Sequence, residues 1–173
     1  MKRFITILTV LLAFTFIASQ TYAVHGDSAA EKFKKIKSLA GEWQGTRAMD
    51  DKTVNVTYEL VSNGSTVMET LMPADEPNMV TMYHLNGDKL MMTHYCAVNN
   101  QPRMESVSSD DGMVKFELKD ITNLAKEEDG HMVGMSIAFK DDDHITHTWT
   151  FKQEGKEMPG DIVLQRKKMT SMK

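Results

Sequence analysis

The sequence predicts an all-β fold: a closed antiparallel β-barrel of about ten strands in a meander, preceded by a short N-terminal helix. Three observations lead there. From Gly41 onward the apolar residues recur at every second position, the period of a half-buried strand. Asn63-Gly64, Asn86-Gly87 and Asp111-Gly112 interrupt the β-rich runs, and such pairs suit tight hairpins because their central residues take positive φ. With 173 residues, 41% hydrophobic and 25% charged, the chain has material for one cored domain. A long antiparallel meander removes its exposed edges most simply by closing, and a barrel of this size can enclose a ligand cavity. An open sandwich of two sheets is the alternative.

Residues 1–23 read as a secretory signal peptide. Lys2 and Arg3 are the positive start, residues 4–18 are apolar apart from threonine, and Thr21-Tyr22-Ala23 offers small residues to a signal peptidase. The apolar run falls short of the roughly 20 residues that span a bilayer as a helix. The mature domain is therefore expected to cover residues 24–173, to be exported to the periplasm or the extracellular space, and to have no stable membrane insertion. In it, Ser28-Ala29-Ala30-Glu31 has capping-box spacing, Phe33, Ile36 and Leu39 or Ala40 recur at helical intervals, and Gly41 supplies a stop. Strands follow at about 42–48, 52–62, 65–72, 79–85, 88–98, 103–109, 113–119, 131–140, 144–152 and 161–168, with a helix-prone insert at 120–130.

Composition narrows the partners. The 20 basic and 24 acidic residues give a net charge of -4, or -6 without Lys2 and Arg3, which offers no basic field to attract nucleic acid. Cys96 is the single cysteine, so stability rests on packing and not on an intrachain disulfide.

Gly41-Glu42-Trp43, at the end of the helix and the start of the first strand, resembles the G-x-W signature of the lipocalins and their calycin relatives. That resemblance implies a basic residue of the last strand stacked on the Trp43 ring, where Arg166 in Ile162-Val163-Leu164-Gln165-Arg166 lies, as a structural plug at the barrel's closed end. The stretch from Met79 through Thr93-His94-Tyr95-Cys96 to Asn100-Gln101-Pro102-Arg103-Met104 is similar to an uncharacterised group of exported bacterial calycin-like proteins. Trp43-Gln44-Gly45 more distantly resembles the haem-binding nitrobindin barrels, a likeness that makes His147 the nearest candidate for an axial ligand.

Hairpin register sorts side chains into faces, because residues opposite each other share a side. With Asn63-Gly64 as a two-residue loop, Tyr58 faces Glu69 and Leu60 faces Val67. With Asn86-Gly87, Tyr83 faces Leu90 and Met79 faces His94. With Asp111-Gly112, Val107 faces Phe116 and Glu105 faces Leu118, which turns Arg103 and Glu105 inward. Alternation after Asp143 groups Ile145, His147, Trp149 and Phe151. The expected interior is apolar, with Tyr58, Glu69, Tyr83, His94, Arg103, Glu105 and His147 as polar intruders and ligand-binding candidates. Two readings follow from these residues. In one they line a cavity in which Arg103 or a histidine holds an acidic or carbonyl head group. In the other Arg103 forms an internal salt bridge with Glu69 or Glu105 in a packed core.

Met92, His94 and Cys96 place soft ligands on one side of one strand, but same-face positions are about 7 Å apart and cannot close on one ion unaided. His144 and His147 are at odd spacing and point to opposite faces. Glu69, His94 and His147 are of the types that iron and zinc enzymes use, without local spacing to support them. No metal site and no catalytic residue is assigned, and no nucleophile elbow, HExxH, P-loop or dinucleotide fingerprint is present. Fifteen methionines suit either a permissive apolar pocket or an undemanding core. The expected function is an exported binding protein for a small hydrophobic or amphipathic ligand with a polar or acidic end. The alternative is a haem- or metal-dependent enzyme using the interior histidines.

Overall fold

Serine, glutamate and three apolar residues at helical spacing set the first element. The computed structural model describes residues 27–109 and 112–168; the signal segment and Asp111 lie outside them. Helix α1 (Ala29–Ser38) opens on the full capping box: Ser28 Oγ accepts from Glu31 N–H, and Glu31 accepts from Ser28 N–H at 2.8 Å. Phe33 and Ile36 on its inner face, and Leu39 just after it, are buried.

Ten strands follow: β1 (Gly41–Arg47), β2 (Thr53–Val61), β3 (Thr66–Pro73), β4 (Met79–Asn86), β5 (Lys89–Tyr95), β6 (Gln101–Val107), β7 (Met113–Thr122), β8 (His131–Phe139), β9 (His144–Gln153) and β10 (Lys156–Arg166). Each pairs antiparallel with the next, and β10 pairs with β1 to close the barrel. Among the described strands no edge is left to cover. The helix seals the end where β1 begins and β10 finishes: it packs on β4 and β5, and Lys32 Nζ reaches Val107 O at 2.7 Å.

Two elements differ from expectation. The insert after β7 is an irregular loop and not a helix: Asn123 takes a left-handed φ of 57°, and Asp129 accepts from Lys126 N–H, so polar side chains close turns there. Strand β10 starts at Lys156, earlier than expected, despite Pro159. Only β9 flanks that stretch, since the β1 ladder begins at Ile162, and a proline is tolerated where no ladder partner needs its N–H.

The hairpins set the faces. Tyr58 does oppose Glu69 and Leu60 does oppose Val67, although the loop has four residues, Ser62 to Ser65, centred on Asn63-Gly64. In the next hairpin the loop is Gly87-Asp88 and the register moves by two, so Thr81 opposes His94 and Tyr83 opposes Met92. A shift of two leaves every side chain on its face. In the third hairpin β6 ends at Val107 and β7 begins at Met113, and Val107 opposes Lys115 while Ser106 opposes Phe116. That is a shift of one, which exchanges the faces of β6. Pro102, Met104 and Ser106 point inward, and Arg103 and Glu105 point outward.

Candidate functional site

The closed end is built by one contact across the seam. Trp43 and Arg166 are ladder partners, the guanidinium lies 4.3 Å from the indole centroid, and Trp43 Nε1–H donates to Leu39 O at 2.8 Å. Arg166 also donates to Ala40 O and Ser38 O, each at 2.9 Å, and to Asp142 O at 3.1 Å. The plug expected from sequence is present.

Above it, five of the seven candidates form one buried cluster. β3 carries Glu69, fully buried, between Tyr58 on β2 and Thr81 on β4. Tyr83 O–H donates to Glu69 Oε2 at 2.5 Å. Across the barrel, Tyr58 Oη meets His147 Nε2 at 2.7 Å. From β5, His94 Nδ1 meets Thr81 Oγ1 at 2.9 Å, and its ring lies 4.8 Å from that of Trp149 on β9. The His147 ring lies edge-on to both Tyr58 and Trp149, at 6.3 Å from each.

Burial sets the charge states. It pushes the Glu69 carboxyl up to about 7, against the opposing pull of the Tyr83 and Tyr58 hydroxyls. Tyr58 acts from beside the carboxylate, since its own bond runs to His147 and Oε1 of Glu69 has no partner. Burial drives His147 down to about 3 and His94 down to about 4, so both rings are neutral at pH 7. Tyr58 and Tyr83 are raised, first by burial and then by the Glu69 charge. Three polar atoms of this cluster are buried without a partner: Glu69 Oε1, His147 Nδ1 and Trp149 Nε1. Orphans of this kind are scarce in native interiors.

Arg103 and Glu105 are not part of it. Arg103 is 52% exposed and forms a two-pronged ion pair with Asp120, while Glu105 pairs with Lys89 and Lys119 on the outer face. The one-residue shift in the β6–β7 register is the cause, and no internal salt bridge forms with Glu69. Conversely, sequence reasoning left out Thr81 and took Trp149 as apolar wall. Both were on the inward parity; what distinguishes them is a hydroxyl and an indole N–H. Asn100, in the β5–β6 loop, had no periodic signal.

At the end opposite the helix, the β5–β6 and β7–β8 loops frame a cleft of about 360 Å3 lined by Asn100, Leu124, Gly130 and Phe151. Asn100 Nδ2–H donates to Gly130 O at 2.9 Å, and its buried Oδ1 is unpartnered. A Cβ on Gly130 would stand 2.6 Å from the Phe151 ring, so glycine gives that ring its seat. Phe151, Trp149 and His147 follow one another inward along one face of β9.

Among the described residues no group of three or more His, Cys, Asp or Glu is placed to hold a metal ion. β5 ends at Tyr95, which leaves Cys96 off the strand face of Met92 and His94. The histidines also do not fit an axial haem role: Nε2 of His147 is taken by Tyr58, the ring is enclosed by Tyr58 and Trp149, and His94 is packed on Trp149.

No family model and no curated protein matches the sequence. A crystal structure of a protein with unknown function from the DUF3598 family of Nostoc punctiforme superposes with a TM-score of 0.54 at 12% identity. The match covers 77% of this chain and 49% of that one, so this chain spans about half the neighbour's length. The likeness is one of fold.

Proposed function

We propose that this chain is exported and binds a small, largely apolar molecule by its polar end inside the barrel. The observation that carries the reading is the set of four unpartnered buried atoms. Asn100 Oδ1 lies at the cleft, and Trp149 Nε1, His147 Nδ1 and Glu69 Oε1 lie below it. Each such group costs free energy unless something polar meets it, and a ligand head group would supply the missing bonds. Leu124 and Phe151 give the cleft apolar walls for the remainder. Export is supported by the charged, apolar and small-residue order of residues 1–23. No helix of the described residues is long and apolar enough to cross a membrane. Kinship with calycin barrels is part of the proposal and is supported by Arg166 stacked on Trp43.

Native mass spectrometry of the exported protein tests this. Wild type should carry a small-molecule adduct, and Trp149→Phe, which keeps an aromatic ring and loses the N–H donor, should carry less of it. Bare masses for both, together with no uptake from an added lipid extract, would rule the reading out.

A further inference from the structure

The interior cluster also specifies which polar end it accepts, given the binding reading above. The three arginines of the described residues are all engaged elsewhere. Arg47 pairs with Asp50 and Glu76, Arg103 pairs with Asp120, and Arg166 is held by the backbone carbonyls of the plug. Lys32 is buried, yet its ammonium is bonded to Val107 O at the helix end. Inside the barrel the ionisable groups facing one another are Glu69, Tyr58, Tyr83, His94 and His147, and none of them is a fixed cation. A carboxylate brought among them would be desolvated beside Glu69 with no positive partner, the costliest arrangement for a buried charge.

A neutral oxygen meets different conditions. Trp149 Nε1 can only donate, so it needs an acceptor. His147 Nδ1 and Glu69 Oε1 can each accept, and each can also donate in its alternative protonation state. A hydroxyl both accepts and donates, and a carbonyl accepts; either satisfies the indole without bringing a charge. The His147 and Trp149 rings adjoin at 6.3 Å, which sets their two orphan nitrogens on neighbouring side chains of one strand face. We infer that the barrel takes its ligand by a neutral hydroxyl or carbonyl group and discriminates against a carboxylate.

Isothermal titration of the mature protein at pH 8 with 1-decanol, decanoate and decylamine separates the possibilities, because the three share one apolar tail. Decanol should bind at least about tenfold tighter than decanoate, the scale of one neutral hydrogen bond gained and one buried charge avoided. Glu69→Gln keeps an acceptor for Tyr83 and removes the ionisable group, so it should narrow that ratio. Equal or tighter binding of decanoate or decylamine, or a ratio unchanged in Glu69→Gln, would overturn the inference and leave the binding reading standing. No heat from any of the three, in protein that shows a cooperative melting transition, would overturn both.

Discussion

Glu69 is the residue on which the interior turns. Burial without a cation raises it to about 7 from 4.5, so between those values the folded protein binds more protons than the unfolded chain. Its contribution to stability therefore falls as pH rises from 4.5 to 7 and stays low above. Glu69→Gln removes that loss. The variant should match wild type near pH 4.5 and gain on it by on the order of 3 kcal/mol at pH 8, which urea unfolding at the two pH values would measure. His147 and His94 act with the opposite sign: held at about 3 and about 4, they lose stability as pH falls below 6.5, and they do so equally in both proteins. Parallel stability profiles for the two proteins would mean that Glu69 is ionised and satisfied. The residue pattern showed this much in advance: strand parity alone placed Tyr58, Glu69, Tyr83, His94 and His147 inside. Which of them would bond which was not accessible, because Tyr58 meets His147 across the barrel, a contact set by closure and not by any hairpin.

Among the elements, the faces of the hairpins were readable wherever the register moved by an even number of residues or not at all. The four-residue loop centred on Asn63-Gly64 kept the expected pairing, and Gly87-Asp88 moved it by two without consequence for the faces. Between β6 and β7 it moved by one, and Arg103 and Glu105 went to solvent. Parity fails only for odd shifts, and nothing local to Asp111-Gly112 announces one. The helix was the most readable element, because Ser28 and Glu31 cap it reciprocally. Ser28→Ala should cost about 1 kcal/mol, the usual effect of losing an N-cap. Since α1 and its C-cap seat Phe33, Ile36 and Leu39 under the barrel, the loss should appear as one lower denaturant midpoint reported equally by far-ultraviolet ellipticity and by tryptophan fluorescence. A fall in ellipticity alone would show that the helix frays independently of the barrel.

Closure of the whole molecule depends on the seam between β1 and β10, the pair most distant in sequence. The period-two pattern and the count of strands pointed to closure, but only the juxtaposition of Trp43 with Arg166 states where it happens. Arg166 joins three parts: the indole of β1, the carbonyls of Ser38 and Ala40 at the C-terminal end of the helix, and Asp142 in the β8–β9 loop. A guanidinium is suited to this because its planar fork serves several carbonyls while its face lies on an aromatic ring. Arg166→Leu retains apolar bulk over Trp43 and strips the carbonyls of their donor. It should lower stability by about 2 to 4 kcal/mol, the combined scale of the stacking contact and of the hydrogen bonds lost. Arg166→Lys should recover only part, since an ammonium has no planar face to stack and no fork to span the three carbonyls. The cleft beside Phe151 is at the opposite end of the barrel, so decanol affinity in both variants should stay within a few fold of wild type. Thermal melting and titration on the same samples decide it: affinity lost at unchanged stability would move Arg166 from the plug to the binding site.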